Sequence, residues 1–189
     1  LFNWCVKHGL LETSPLPRMT ITSRSRDRVL SDAELAEILR AARGHPYPFG
    51  PILQLLILTG QRRGEIAALE WEWIDLDVPS ISFPGTLTKN RQPHLLPVGR
   101  VSAGLLADLP RMGRYVFPAR TQTGTVFNGW GKAKARVDQT LANVDPYTLH
   151  DLRRTFSSNH AKLGTPIHVT EKLLNHISGT VSGVAAIYN

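Results

Sequence analysis

Leu149-His150-Asp151-Leu152-Arg153-Arg154-Thr155-Phe156 is the stretch on which the reading of this chain turns. Leu149, Leu152 and Phe156 fall at i, i+3 and i+7, the apolar stripe of a helix. Thr148 ahead of it, with Asp151 three residues on, is a helix-start signature, and Gly164 is the matching stop. His150 and Arg153 are also i, i+3, so they share a face beside that stripe, close to the helix N-terminus. Unpaired N–H groups and the helix dipole favour a bound anion there. With Arg154, the first turns carry three cations, out of place unless an anion docks. Taken alone, a capping histidine and solvated arginines are the simpler explanation.

Working outward, residues 1–9 read as the last turns of a helix stopped at Gly9. Residues 11–28 collect Pro15, Pro17 and four arginines without apolar period, a basic linker. Ser31 and Glu34 form a second capping signature, ahead of Leu35, Ile38, Leu39 and Ala42 at helical spacing. Further helices are predicted over 52–58, ending at Gly60, and over 63–69. Between Trp73 and Val98 the pattern changes to short β-like pieces at 81–83, 86–88 and 94–98. Pro84-Gly85 and a hairpin turn at Lys89-Asn90-Arg91-Gln92 divide them. Helices resume over 101–109, 128–141, 166–174 and 178–188. The expected fold class is mainly α with a small antiparallel β-sheet (α+β).

The chain has 189 residues and is 42% hydrophobic, enough to bury a core and to exclude disorder. Its formal charge of +7 is unevenly distributed. Residues 86–136 hold nine basic residues against one acid, Asp108, a net +8 that leaves the remainder at −1. A middle third carrying the whole excess suggests a surface built for a polyanion. The single cysteine, Cys5, excludes an intrachain disulfide and fits a reducing compartment. The longest apolar run, 51–58, is interrupted by Gln54 and falls far short of the roughly 20 residues that span a bilayer. Nothing reads as a signal peptide. The chain opens on Leu1, at what reads as the end of a helix, which predicts a piece of a longer protein.

Other segments offer chemistry. Thr59-Gly60-Gln61-Arg62-Arg63-Gly64-Glu65 sets two arginines where an apolar helix breaks, with Glu65 one turn from Arg62 and able to hold its guanidinium. Lys89 stands in the predicted hairpin turn, from which an ammonium can reach into a groove and donate a proton. His176 follows Leu173-Leu174-Asn175 just past a helix end, and Tyr188 lies on the last helical piece. Singly, each has an ordinary role: surface ion pair, solubility, carbonyl cap, packing.

Together they resemble the tyrosine recombinase (phage integrase) family in its catalytic domain. The matching motifs are Thr-Gly-Gln-Arg-Arg-Gly-Glu around Arg62, Thr-Lys-Asn-Arg around Lys89, Leu-His-Asp-Leu-Arg-Arg-Thr-Phe around His150 and Arg153, Leu-Leu-Asn-His around His176, and Ala-Ile-Tyr-Asn around Tyr188. All five stand in family order. The resemblance implies that residues 1–28 are the end of a core-binding-domain helix and an interdomain linker. Residues 29–189 would be a catalytic domain with its C-terminal tail truncated. A departure is Asn175, where many relatives have Gly.

The activity so implied is site-specific recombination: cleaving and rejoining DNA strands through a 3′-phosphotyrosyl intermediate, without metal, ATP or other cofactor. The implied catalytic set is Arg62, Lys89, His150, Arg153, His176 and the nucleophile Tyr188, with Glu65 behind it. Candidate DNA contacts are Arg63, Asn90, Arg91, Arg120, Lys132, Lys134, Arg136 and Arg154. The implied partners are double-stranded attachment sites, a homotetramer on synapsed DNA for the full-length protein (the fragment itself monomeric), and accessory DNA-bending or excision factors. No membrane partner is implied. The setting would be the cytoplasm, at the nucleoid, with the gene on a prophage or other mobile element. A type IB topoisomerase shares the same residue types, and a catalytically silent DNA-binding relative is the alternative from another class. A metal-dependent nuclease would need clustered carboxylates, and the basic stretch holds only Asp108.

Overall fold

The structure, a computed structural model, describes residues 2–16, 27–119 and 124–176. The predicted helix at 178–188, Tyr188 and Arg120 lie outside the described residues. Helix α1 (Phe2–Lys7) ends short of Gly9, as its sequence suggested. Helix α2 (Asp32–Gly44) starts at the expected capping box. Ser31 Oγ accepts from the Glu34 amide at 3.3 Å, and Glu34 Oε2 accepts from the Ser31 amide at 2.8 Å. Glu34 also receives the Arg28 guanidinium and the Asp145 amide, so the box ties the segment before α2 to the loop before α7. The hydrogen bond from Arg28, followed by that from Ser31, holds the Glu34 carboxyl down to about 2.

Helix α3 (Phe49–Thr59) is apolar on nearly every side and is therefore buried nearly all round. Its Phe49, Ile52, Leu53, Leu55 and Leu56 form the centre of the core. Around it pack α2, α4 (Arg63–Ala67), α5 (Arg100–Ala107) and α7 (Leu149–Lys162). Helix α6 (Trp130–Asp138) leans on α2, and α8 (Ile167–Leu173) on α7. On α7, Leu152 is buried and the Thr155 hydroxyl accepts the Leu30 amide at 2.9 Å, fixing the helix to the start of the fold.

The sheet is antiparallel in the order β1 (Ile74–Asp75), β2 (Ser80–Phe83), β3 (His94–Pro97). Ile81 pairs with Leu96 and Phe83 with His94, all four on the buried face. Two expectations change here. Residues 86–88 form a turn rather than a strand, and the additional strand is β1, which follows a 3-10 turn at Trp71–Trp73. Local hydrogen bonds hold segment 86–88 in a turn. Thr88 Oγ1 bonds the carbonyls of Gly85 and Gln92 at 3.2 and 2.7 Å, and the Leu87 amide donates to the Pro84 carbonyl. Gly85 permits this closure, since a Cβ there would sit 2.6 Å from the Arg91 carbonyl oxygen. Among the described residues the architecture is mainly helical with one small antiparallel sheet, the class expected. No helix among the described residues is long and apolar enough to cross a membrane.

Candidate active site

A cavity of about 640 Å³ opens where the α3–α4 junction, the β2–β3 connection, α6 and the start of α7 meet. Arg62, Lys89, His150 and Arg153, scattered over 92 sequence positions, all line it.

Arg153 is the most constrained of them. It is only 4% exposed. One guanidinium nitrogen donates to the Gly60 carbonyl at 2.8 Å and another to the Leu174 carbonyl. Burial, then the nearby charge of Arg62, pulls its pKa down to about 10, so it remains a cation at neutral pH. Gly60 makes that bond possible. It closes α3 at φ +64°, and a Cβ on it would lie 2.6 Å from the Phe156 ring and 2.9 Å from Leu174.

Arg62 is held as the spacing suggested. Its side chain donates to Glu65 Oε1 at 2.8 Å and its amide to Oε2 at 3.1 Å, while Glu65 itself is buried. The carboxylate thereby fixes both the guanidinium and the first turn of α4. On α7, the buried Asp151 accepts from the Thr148 amide and hydroxyl, each at 2.8 Å. Its other oxygen takes Arg154 at 2.9 Å. His150 stands beside this cap on the cavity wall. Partial burial, with the charges of Arg154 and Arg153, keeps its pKa below the ordinary histidine value, which favours the neutral imidazole.

The end of α8 is fastened by three side chains from elsewhere in the fold. Gln61 Nε2 donates to the Leu173 carbonyl at 2.8 Å, His94 Nε2 lies 3.1 Å from the same oxygen, and Arg153 takes Leu174. These carbonyls have no partner within the helix, and a cation at a helix C-terminus is favourable. Gln61 and His94 were not singled out from sequence. Gln61 stood inside a recognised motif; nothing local marked His94, a buried ring stacked on Phe83 with its pKa lowered by burial.

His176 is not part of the cavity wall. It follows α8, exposed, with Nδ1 3.1 Å from Glu171 Oε1. Of the candidate DNA contacts, Arg63 and Lys134 line the cavity. Arg63 lies over the Trp130 ring at 5.7 Å; Lys134 pairs with Asp138 at 2.6 Å and lies over the Tyr147 ring. Arg91, Lys132 and Arg136 are exposed. Asn90 is bonded to Asn175, and Arg154 to Asp151. Among the described residues no three His, Cys, Asp or Glu side chains gather as a metal site.

The arrangement sets two fixed guanidiniums, a lysine and an imidazole around one space. Such a space suits a phosphate diester, whose oxygens a planar fork can grip. Comparison with known proteins agrees with that chemistry. Residues 28–188 match the family described as "Phage integrase family". Prophage integrase IntZ of Escherichia coli (strain K12) is 41% identical over 142 residues, which is 72% of this chain and 34% of IntZ. A shufflon-specific DNA recombinase of Escherichia coli is 32% identical over 170 residues, 87% of this chain and 42% of that protein. The chain thus spans less than half the length of either relative. Among solved structures, XerA recombinase aligns with a TM-score of 0.67 at 20% identity, over 87% of this chain and 59% of the other. A lambda integrase dimer bound to a COC′ core site aligns at 0.68 and 19%, over 99% and 55%. At those identities the likeness is one of fold. Its match to the family over nearly its whole length, with the helical fold and the cavity built from that family's motifs, shows that this chain belongs to the phage integrase family of tyrosine recombinases.

Proposed function

We propose that this chain is the catalytic domain of a site-specific DNA recombinase that cuts and rejoins duplex DNA through a 3′-phosphotyrosyl intermediate. The observation that carries this reading is the convergence of Arg62, Lys89, His150 and Arg153 on one cavity. The relatives named above are an integrase and a recombinase rather than topoisomerases.

In the proposed reaction the Tyr188 oxygen attacks the scissile phosphorus, the phosphorus–O5′ bond breaks, and a 5′-hydroxyl leaves. The transition state gathers charge on the non-bridging oxygens, and Arg62 and Arg153 are cations already fixed in place to meet it. Lys89 gives its proton to the departing O5′. His150, whose lowered pKa favours the neutral imidazole, can accept the tyrosine proton or donate to a non-bridging oxygen. A phenol with pKa of about 10 needs that neighbouring positive charge to react as phenolate. His176 donates a hydrogen bond to the phosphate. The product ester keeps the bond energy, so a second strand's 5′-hydroxyl reverses the step without ATP or metal.

The substrate is a double-stranded attachment site, gripped by Arg63, Arg91, Arg120, Lys132, Lys134 and Arg136. The assembly is a homotetramer on two synapsed duplexes, aided by DNA-bending or excision factors. Residues 1–28 are the end of a preceding core-binding-domain helix and the interdomain linker, and the protein acts at the nucleoid. Tyr188→Phe in the full-length protein is expected to bind its site as wild type does yet form no covalent complex with a nicked suicide duplex. A covalent band persisting in that variant on a denaturing gel would remove Tyr188 from its role.

A further inference from the structure

The β2–β3 connection and the turn after α8 are joined by two asparagines. Asn90 Nδ2 donates to Asn175 Oδ1 at 2.7 Å and approaches the Asn175 carbonyl at 3.3 Å. Asn175 Nδ2 returns a longer contact to Asn90 Oδ1 at 3.4 Å. Asn90 Oδ1 also accepts the Gln92 amide at 3.1 Å, so one side chain both shapes its own turn and reaches across 85 residues. The backbone is bent to suit: Arg91 has φ 59° and Asn175 φ 50°, a conformation asparagine tolerates better than most residues.

Each asparagine adjoins a residue of the proposed site. Lys89 precedes Asn90 and lines the cavity, while His176 follows Asn175. Lys89 itself is exposed, on a four-carbon stem with freely rotating bonds. Locally its turn is closed by Thr88, which fixes shape but not placement relative to α8. The far side is firmly seated, because Leu173 and Leu174 are gripped by Gln61, His94 and Arg153. A bond from Asn90 to Asn175 thus references the Lys89 backbone to the same anchor that holds Arg153.

We propose that the Asn90–Asn175 amide pair is a latch that positions Lys89 for proton donation to the leaving O5′. Asn90 is accordingly a positioning residue rather than the DNA contact its sequence context suggested, its amide being committed to Asn175. The inference rests on the reading of Lys89 as the general acid. Displacing a reacting group by about 1 Å costs on the order of 100-fold in rate, so loss of the latch should slow cleavage by about that factor.

The test measures single-turnover covalent capture by the full-length protein on two nicked suicide duplexes. One carries the ordinary scissile linkage; in the other, sulfur replaces the bridging 5′ oxygen, so that the phosphorus–sulfur bond breaks and a thiolate leaves without needing a proton. Lys89→Ala is the reference, slow on oxygen and restored by sulfur. Asn90→Ala is expected to bind the duplex normally, to be about 100-fold slow on oxygen, and to be restored by sulfur. Asn175→Asp keeps the Oδ1 acceptor and should lose less than tenfold on oxygen, whereas Asn90→Asp lacks the donor and should resemble Asn90→Ala. Wild-type cleavage of the oxygen duplex by Asn90→Ala, or slowness that sulfur does not restore, would overturn the latch while leaving Lys89 in place. Failure of sulfur to restore Lys89→Ala would instead overturn the general-acid reading beneath it, and the latch's purpose with it.

Discussion

Arg153 shows how one side chain serves two ends. Its buried guanidinium satisfies the carbonyls of Gly60 and Leu174 while remaining on the cavity wall. A lysine has no fork with which to span two carbonyls and a phosphate. Arg153→Lys is therefore expected to lower covalent capture by roughly 10²–10³-fold, the usual cost of losing one donor aimed at a developing oxyanion. Duplex affinity, which many contacts share, should change only severalfold in a gel-shift titration. Equal loss of binding and capture would mean that the residue acts through affinity. The pairing of Arg62 with Glu65 was legible from spacing alone, because i, i+3 on a helix start is local geometry. The role of Gln61 was not, since its partner is Leu173, 112 positions away.

At the scale of elements, starts and stops were the readable part. Ser31 with Glu34, and Thr148 with Asp151, cap α2 and α7 as their spacing indicated, since a capping box needs no tertiary context. Segment 86–88 carried β-like residues yet turned, because Thr88 and Gly85 close the chain on itself. Strand β1 is two residues long and offers too little pattern to detect. Two element-level outcomes follow from the contacts. Gly60→Ala puts a side chain at φ +64° and against Phe156, so stability should fall by about 1–3 kcal/mol, read as a lowered urea midpoint. The folded pKa of Glu34, about 2, lies below its ordinary 4.5. The stability it contributes is then present above pH 4.5 and lost as pH falls toward 2. Glu34→Gln should flatten that acid limb of an unfolding-midpoint profile; an unchanged limb would place the sensitivity elsewhere.

Across the whole molecule, the charge excess of residues 86–136 is not one continuous face. Arg114 is paired with Glu70 at 2.6 Å, and Arg111 lies over the Trp71 ring in a second cavity bordered by Glu72, Asp75 and Asp77. Lys89 and Lys134 instead line the cavity between the α3–α4 junction and α7. Net charge pointed to a polyanion, but not to which arginines would face it, because sign is local and facing is set by the fold. Arg62, Lys89, His150 and Arg153 were legible as one site only jointly. Each has an ordinary role by itself, and their meaning lies in convergence around α3, which no window of sequence displays. The most direct test of the central claim traps the full-length protein on a nicked suicide duplex in the presence of EDTA and maps the modified residue by mass spectrometry. The expected result is a 3′-phosphoryl nucleotide on the peptide containing Tyr188; attachment at another residue, or no covalent complex without a divalent metal, would contradict it.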